Sequence, residues 1–351
     1  MKLWRVLLLL GFLVVLVAFA SLHSQSKRPE VPDSLLTTLD GHKEDSKVSR
    51  VAGGLVLVGG GPDTAIPFIR TIFPSIYGGN ALILREYGGA GYNDFFRIIM
   101  GDNRLSSVET LVVSSPEAAN SEYVSWCIRH AELIWMAGGN QAENLSKWRG
   151  SRLAADINTK WREGVWLGGT SAGLSILGAA VCSPPLGYRG STSEEALANP
   201  YNERLEIRPG IFEIDVIDKW ILEPHVIARS REGRALAVLA RQCVESQSSG
   251  WRLLALDESV SVTVRPNGDC EVAGEEDAVL GYIIHFDQDT EVKTVEPGKP
   301  LHVLNARAIT IKSGDRFSLL AGSSGGEFWS AHDGTLRRET DQGKHAAPIE
   351  D

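Results

Sequence analysis

Short apolar runs, glycine turns and segments with helical spacing alternate along the first half of the chain. Each apolar run has the length of a buried strand, and the segments between the runs include two with amphipathic spacing. Strands that alternate with helices predict a parallel sheet covered on both faces. We therefore predict an α/β fold with a doubly wound, mostly parallel sheet. The apolar runs are residues 54–58, 80–84, 108–113, 131–136 and 164–169, and the amphipathic segments are 116–130 and 144–160.

The pattern changes towards the C-terminus, where short β segments follow one another without helices between them. Such segments occur at residues 270–273, 279–285, 302–304 and 308–311. The chain is polar from residue 337 onward, which is typical of a frayed tail. We predict a small β-rich C-terminal part after the main domain.

The N-terminus has the pattern of a secretory signal peptide. Lys2 and Arg5 precede an uncharged apolar run at residues 6–20, which ends in Ala18-Phe19-Ala20. An uncleaved anchor is the alternative, although a spanning helix usually needs about 20 apolar residues. We predict a protein exported to the periplasm or the exterior, or else anchored in the membrane by this segment alone. The predicted organisation is a signal peptide at 1–20, a linker at 21–50, an α/β domain at 51–290, and a β-rich C-terminal extension with a polar tail at 291–351.

Composition excludes some classes of partner. The chain has 351 residues, of which 43% are hydrophobic and 23% charged, with a formal net charge of −9. A negative chain has no general basic field for nucleic acid. Its four cysteines show neither metal-binding nor redox spacing, and we expect Cys127 and Cys182 to be buried free thiols. We predict no metal and no organic cofactor.

The most informative motif is the sequence GTSAG at residues 169–173, which follows the last apolar run of the alternating half. It has the G-x-S-x-G spacing of a nucleophile elbow, in which a sharp strand-to-helix turn exposes a serine beside backbone N–H groups. The alternative is an ordinary tight turn whose serine caps the helix. Ser171 is therefore a candidate nucleophile.

A serine nucleophile needs a base and an acid that orients the base. His225 is the best candidate base by elimination, because an apolar strand leads into it and three arginines follow closely. A satisfied core or surface histidine is the alternative. Asp257 and Glu258 both follow an apolar strand at 253–256, and these residues alone do not decide between them. The order serine, histidine, acid differs from the serine, acid, histidine order of α/β-hydrolases.

A glycine-rich turn, GGGPD at residues 59–63, ends the first apolar run. It lacks the third glycine of a dinucleotide fingerprint, so a close-packed turn near the active edge of the sheet is the better interpretation. A second glycine turn, GGNQ, stands at residues 138–141.

These motifs together resemble the cyanophycinase and aspartyl dipeptidase family of serine peptidases, and in particular its exported cyanophycinase-like branch. The resemblance covers residues 51–284 and rests on four motifs in the family's order. The sequence departs from the family pattern at Asn140, in place of aspartate, at Glu223-Pro224, in place of Asp-Gln, and at Val226, in place of phenylalanine. The matching segments are GGTSAG at 168–173, GGNQ at 138–141, EPHV at 223–226 with the arginines that follow, and LDE at 256–258.

The resemblance implies a flavodoxin-like fold related to class I glutamine amidotransferases, and a Ser-His-Glu triad of Ser171, His225 and Glu258. It implies an oxyanion hole formed by the backbone N–H groups of Gly139 and Ala172. It also implies that four side chains line the substrate site, where arginines suit a carboxylate. The alternative for the arginines is a solvated helix face with pairing to Glu232. The implied substrate-lining residues are Gln141, Arg229, Arg231 and Arg234.

The expected function is an exported serine exopeptidase that acts through an acyl-enzyme on a small peptide or a cyanophycin-like polymer. A non-catalytic amidotransferase-like binding or sensor protein is one alternative, and an ester acyl hydrolase is another. A homodimer is a possible assembly, although the sequence does not determine the oligomeric state.

Overall fold

The computed structural model describes residues 27–43, 46, 48, 52–100, 105–321 and 325–339. The signal peptide predicted for residues 1–20 lies outside the described residues, as does the tail beyond residue 339. Residues 27–30 have no regular secondary structure, and every described helix and strand belongs to the compact unit that begins at residue 31. Within these described ranges, no helix is both long and apolar enough to cross a membrane.

Strands alternate with helices through the first half of the chain and follow one another directly after residue 250. The strands are β1 (Leu36–Gly41), β2 (Gly54–Val58), β3 (Gly79–Arg85), β4 (Leu105–Val112), β5 (Leu133–Met136), β6 (Trp166–Thr170), β7 (Ala180–Ser183), β8 (Glu206–Pro209), β9 (Trp220–Pro224), β10 (Arg252–Leu256), β11 (Ser261–Val264), β12 (Asp269–Ala273), β13 (Gly281–His285), β14 (Glu291–Thr294), β15 (His302–Ile311), β16 (Arg316–Ser318), β17 (Glu327–His332) and β18 (Thr335–Glu339). The helices are α1 (Phe73–Ser75), α2 (Gly91–Met100), α3 (Pro116–Ala119), α4 (Glu122–Arg129), α5 (Gln141–Trp148), α6 (Arg152–Arg162), α7 (Ala172–Ser175), α8 (Ser193–Ala198) and α9 (Glu232–Glu245), with a π-helical turn at Phe68–Ile72 and a 3-10 turn at Asp215–Ile217.

The first sheet has five parallel strands at its centre, in the order β4-β3-β5-β6-β2. Antiparallel strands extend it on both sides, with β1 beside β4 and with β11, β12 and β16 beyond β2. The central strands β2, β5 and β6 are buried along their whole length, as parallel strands covered on both faces should be. The predicted α/β class and its parallel central sheet are confirmed.

Helices cover both faces of this sheet, and adjacent residues of one strand point into different cores. On β3, Leu82 packs with the side chains of α4 to α6, whereas Ile83 packs with a group of aromatic rings. That aromatic group includes Phe68, Phe96 and Trp135, with the Phe68 and Trp135 ring centroids 5.1 Å apart. The period-2 alternation of a strand therefore divides its apolar residues between two cores.

The second sheet has the order β18-β17-β15-β13-β10-β9-β7-β8, with β14 also paired to β15. Its strands β7, β9 and β10 are parallel, and the others are antiparallel. Helix α9 buries its apolar side chains against this sheet. Four of the C-terminal strands, β14, β15, β17 and β18, therefore continue this sheet through the pairing of β15 with β13, whereas β16 joins the first sheet.

Several segments differ from the sequence expectations. The segment expected to be a linker, 21–50, contains β1, which pairs with β4. Each of the two amphipathic segments forms two helices, because Ser121 and Ser151 cap a new helix within each of them. The polar region that begins at Arg337 contributes its first residues to β18, which pairs with β17. The four cysteines are buried thiols that form no disulfide, as expected for Cys127 and Cys182.

Candidate active site

Ser171 lies on a strained turn between β6 and α7. Its backbone has φ 53° and ψ −118°, a conformation that is uncommon for a residue with a side chain. The two glycines of the motif allow the turn to pack closely, since a Cβ on Gly169 would lie 2.4 Å from the Gly173 carbonyl oxygen and one on Gly173 would lie 2.1 Å from that of Met136. Ser171 makes no side-chain capping hydrogen bond to α7, so the alternative of a helix cap is not observed.

His225 directly follows β9, and its imidazole reaches the serine. Its Nε2 lies 2.8 Å from Ser171 Oγ, and its Nδ1 lies 2.6 Å from Glu258 Oε1. The residue is buried, and its backbone N–H donates to the Gly59 carbonyl at 3.0 Å. An Nδ1–H that donates to Glu258 leaves Nε2 free to accept the serine proton, which is the tautomer a general base requires.

The two adjacent acids have different partners. Asp257 Oδ1 accepts the backbone N–H groups of Ile227 and Ala228, at 3.1 and 2.8 Å, and so holds the turn that follows His225. The carboxylate of Glu258 contacts the imidazole instead. The geometry therefore distinguishes two residues that the sequence left as equal alternatives.

The glycine turn at residues 59–61 packs against the histidine and the glutamate. A Cβ on Gly60, whose φ is +118°, would lie 2.2 Å from His225 Cε1. A Cβ on Gly61 would lie 2.9 Å from Glu258 Oε2. The turn needs glycine because its backbone lies directly against the side chains of His225 and Glu258, with no room for a Cβ. This agrees with the prediction of a close-packed turn at residues 59–63.

The surroundings of His225 favour the neutral imidazole. Burial lowers its pKa below the ordinary 6.5, the hydrogen bond with Glu258 opposes this shift, and the positive charges of Arg229 and Arg231 lower the pKa further. A histidine with a lowered pKa is largely unprotonated at neutral pH and can accept a proton.

The second glycine turn, after β5, lies beside the serine. A Cβ on Gly138 would be 3.4 Å from the Cβ of Ser171. The N–H of Gly139 donates to no acceptor within the described part of the chain. Ala172, the other expected oxyanion donor, is the first residue of α7. Both amides belong to turns that meet at Ser171, as an oxyanion hole requires.

The four expected substrate-lining residues have different environments. Gln141 donates from Nε2 to the Cys182 carbonyl at 3.2 Å. Arg229 is exposed, whereas Arg231 is half-buried and donates to the Pro224 carbonyl. Arg234 is 3% exposed and forms an ion pair with the buried Glu223.

The environments of the arginines change their expected roles. The guanidinium of Arg234 is buried in an ion pair, which is the environment of a structural residue. Of the three arginines, Arg229 is therefore the exposed one. Glu232, the alternative partner considered for the arginines, forms an ion pair with Arg338.

Two acids near the site, the buried Glu86 and the half-buried Asp63, were not identified from the sequence. Glu86 follows β3, is 2% exposed and accepts the Asn140 N–H at 2.8 Å. Asp63 accepts the hydroxyl hydrogen of Tyr92. Burial raises the pKa of both carboxyl groups. The sequence could have indicated these acids by their positions, because Glu86 directly follows a buried strand and Asp63 lies in the glycine turn that ends another.

No group of three or more His, Cys, Asp or Glu side chains that could hold a metal ion occurs among the described residues. The described geometry brings the hydroxyl of Ser171, the imidazole of His225 and the carboxylate of Glu258 into one line of hydrogen bonds, an arrangement that can carry out acyl transfer.

Comparison with known proteins finds one matching family model and solved structures that are similar to this chain. The model of Peptidase family S51 matches residues 102–268, a range that contains Ser171, His225 and Glu258. The crystal structure of a peptidase from an acI-B1 Actinobacterium is similar at 17% sequence identity and a TM-score of 0.51, over 76% of this chain and 97% of that chain. A candidate peptidase E protein from Listeria monocytogenes EGD-e aligns at 12% identity and a TM-score of 0.41, over 64% of this chain and 99% of that one. No curated protein matches the chain.

The solved peptidase structure supports the fold, and the family match covers the segment that carries the serine, histidine and glutamate. Both agree with the motifs found in the sequence. Residues 102–268 therefore match peptidase family S51, a family of serine peptidases.

Proposed function

We propose that this protein is a serine exopeptidase that hydrolyses peptide or isopeptide bonds through an acyl-enzyme on Ser171. The observation that carries the proposal is the continuous chain of hydrogen bonds from Ser171 Oγ through the His225 imidazole to Glu258. A serine beside a neutral, oriented imidazole is the arrangement that acyl transfer requires.

In the proposed reaction Ser171 Oγ attacks the scissile carbonyl while its proton passes to His225 Nε2. The N–H groups of Gly139 and Ala172 donate to the oxyanion that develops. The imidazolium, stabilised by Glu258, then gives the proton to the leaving amine, and the acyl-enzyme remains. Water attacks the acyl-enzyme with His225 again acting as base, and Ser171 recovers its proton.

The charges around His225 favour a substrate with a free carboxylate. Arg229 is exposed and close enough for its charge to lower the pKa of His225. Glu223 already pairs with Arg234 and lies 3.6 Å from Arg231, so those two cations are partly neutralised. We propose that Arg229 binds the terminal carboxylate of a small peptide or of an isoaspartyl-type, cyanophycin-like polymer.

We also propose that the protein is exported, with the apolar residues 6–20 as its signal. This proposal rests on the sequence alone. Mass spectrometry of the mature N-terminus after expression in a native-like host would test it, and a protein that retains residues 1–20 in the soluble cytoplasm would contradict it.

The function is tested with purified wild type and Ser171→Ala on three substrates: β-aspartyl-arginine, α-aspartyl dipeptides and a nitrophenyl ester. We expect the wild type to hydrolyse one of the peptide classes and Ser171→Ala to have no measurable activity at an unchanged melting temperature. Full activity in Ser171→Ala would refute the mechanism. Turnover of the ester alone would make the protein an ester hydrolase.

A serine-directed fluorophosphonate distinguishes the enzyme from a silent binding protein with the same fold. We expect rapid labelling of the wild type at Ser171 and none of Ser171→Ala. An unlabelled wild type that also hydrolyses none of the substrates would favour the binding or sensor alternative.

A further inference from the structure

Glu86 is a buried acid directly behind the turn that is proposed to supply an oxyanion donor. It follows β3 and is 2% exposed, and β3 pairs with β5, which leads into that turn. We call residues 137–140 the oxyanion loop. The mechanism proposed above assigns no role to Glu86.

The carboxyl group of Glu86 touches the oxyanion loop at two consecutive residues. Its Oε1 accepts the Asn140 N–H at 2.8 Å. It also lies against Gly139, because a Cβ on that glycine would be 2.5 Å from Oε2 and 2.6 Å from Oε1. At the start of the loop, the Ala137 N–H donates to the Leu84 carbonyl at 3.0 Å.

The oxyanion loop is thus held at both ends, while one amide inside it is left for a ligand. Ala137 is held by β3, and the peptide between Gly139 and Asn140 is held by Glu86. The Gly139 N–H, which belongs to the preceding peptide, donates to no acceptor among the described residues. The direction of that N–H depends on the two fixed ends, since the peptide group is planar and only two residues separate them.

We propose that Glu86 is a positioning residue that fixes the oxyanion loop and so orients the Gly139 N–H towards the developing oxyanion. The inference rests on the proposed acyl-transfer function. Glu86 acts through backbone and does not touch the reacting atoms.

The location of Glu86 also makes its charge relevant to the reaction. A carboxylate behind the oxyanion loop would repel the negative charge that develops at the oxyanion. Burial raises the pKa of Glu86, although the Asn140 N–H, its own backbone N–H and the nearby Lys147 and Arg85 oppose that shift. Relative to an exposed glutamate, the raised pKa favours the neutral carboxyl group, and its Oε2 has no hydrogen-bond partner within the described structure.

The test compares Glu86→Leu, which removes the acceptor at similar volume, with Glu86→Gln, which keeps a neutral acceptor. We expect kcat of Glu86→Leu to fall about ten- to hundredfold with little change in KM, somewhat less than deletion of an oxyanion donor. Glu86→Gln should stay close to wild type at neutral pH. As the pH rises through the pKa of Glu86, the wild type should lose activity relative to Glu86→Gln.

Glu109→Leu is the matched control, because Glu109 is another buried acid, on the neighbouring strand β4, where it accepts the hydroxyl hydrogen of Tyr123. We expect this variant to lose stability without losing kcat per active site, as measured by fluorophosphonate titration. Equal kcat losses in Glu109→Leu and Glu86→Leu would overturn the positioning role. So would equal losses in Glu86→Leu and Glu86→Gln, or pH profiles of activity that coincide for wild type and Glu86→Gln.

Amide hydrogen exchange at Asn140 tests the same contact without any turnover. We expect exchange to accelerate in Glu86→Leu and to stay near the wild-type rate in Glu86→Gln and Glu109→Leu. An unchanged rate in Glu86→Leu would overturn the inference even if the enzyme is active. If the wild type hydrolyses no substrate but Asn140 exchange responds as expected, the proposed function fails and the structural role of Glu86 stands.

Discussion

Gly60→Ala is the substitution that tests most directly whether the position of His225 matters for function. A Cβ at this glycine would lie 2.2 Å from His225 Cε1 and 2.6 Å from Nε2. The Nε2 atom is the one that lies 2.8 Å from Ser171 Oγ. The added methyl group would therefore occupy space now filled by the imidazole.

The expected loss can be worked out from these distances. Carbon atoms normally approach no closer than about 3.5 Å, so the ring must withdraw by about 1.3 Å. A displacement of about 1 Å in a reacting group costs about a hundredfold in rate, which is about 2.7 kcal/mol of activation free energy. Alanine at a positive φ also costs about 1–2 kcal/mol of folding stability.

A control variant separates these two effects. Gly314 also has a positive φ, +82°, but a Cβ there would meet nothing within 4 Å. Gly314→Ala should therefore lose stability without losing activity. The assays are urea denaturation, fluorophosphonate labelling of Ser171, and hydrolysis of whichever substrate the wild type accepts.

We expect Gly60→Ala to lose about a hundredfold in labelling rate and in kcat/KM, with a stability loss comparable to that of Gly314→Ala. Labelling of Gly60→Ala at the rate of Gly314→Ala, in protein shown to be folded, would refute the reasoning. Such a result would mean that activation of Ser171 does not depend on the position that the His225 imidazole occupies in the structure.

Two further predictions concern charges near the site. Arg229→Gln should move the acid limb of the kcat/KM profile to higher pH, because this limb follows the pKa of His225, which Arg229 helps to lower below 6.5. Arg162 is remote from the site and paired with Glu213, so Arg162→Gln should leave the limb unchanged. An unchanged limb in Arg229→Gln would contradict the role assigned to Arg229. Glu223→Gln should lower the free energy of unfolding by about 3–5 kcal/mol in urea denaturation, because it leaves Arg234 buried without its counter-charge. The same substitution at the exposed Glu122 should lower it by less than about 1 kcal/mol. Equal losses of stability in the two variants would contradict the prediction.

The strands were predictable because buried strands in a parallel sheet are short, apolar and bounded by glycine turns. The ends of the helices between them were harder to predict. Each amphipathic segment is continuous in sequence, and the point where one helix ends and the next begins depends on a single capping serine. Ser121 and Ser151 each accept a backbone N–H from the third residue that follows, which starts a new helix. Strand β1 was missed because it is exposed at several positions, so its pattern is like that of a linker.

Ser171 and His225 could be identified as candidates because their motifs restrict backbone and order along the chain. The roles of Glu86 and Glu223 could not be identified, because they depend on contacts between residues that are distant in the sequence. Glu86 meets Asn140 across two neighbouring strands. Glu223 lies two residues before the histidine, but its burial with Arg234 follows from the packing of α9.

The site contains residues that follow strands of both sheets, and its glycine turn contacts residues from each. Ser171 follows β6 of the first sheet, whereas His225 and Glu258 follow β9 and β10 of the second. The turn at residues 59–61 joins them, because the Gly59 carbonyl accepts the His225 N–H and the Gly60 carbonyl accepts the Ser259 N–H, at 3.0 and 2.8 Å. Nucleophile and base are therefore held by different sheets, and the 2.8 Å contact between them depends on this turn. A substitution that shifts the turn should thus reduce serine activation even where it leaves all three reactive side chains unchanged.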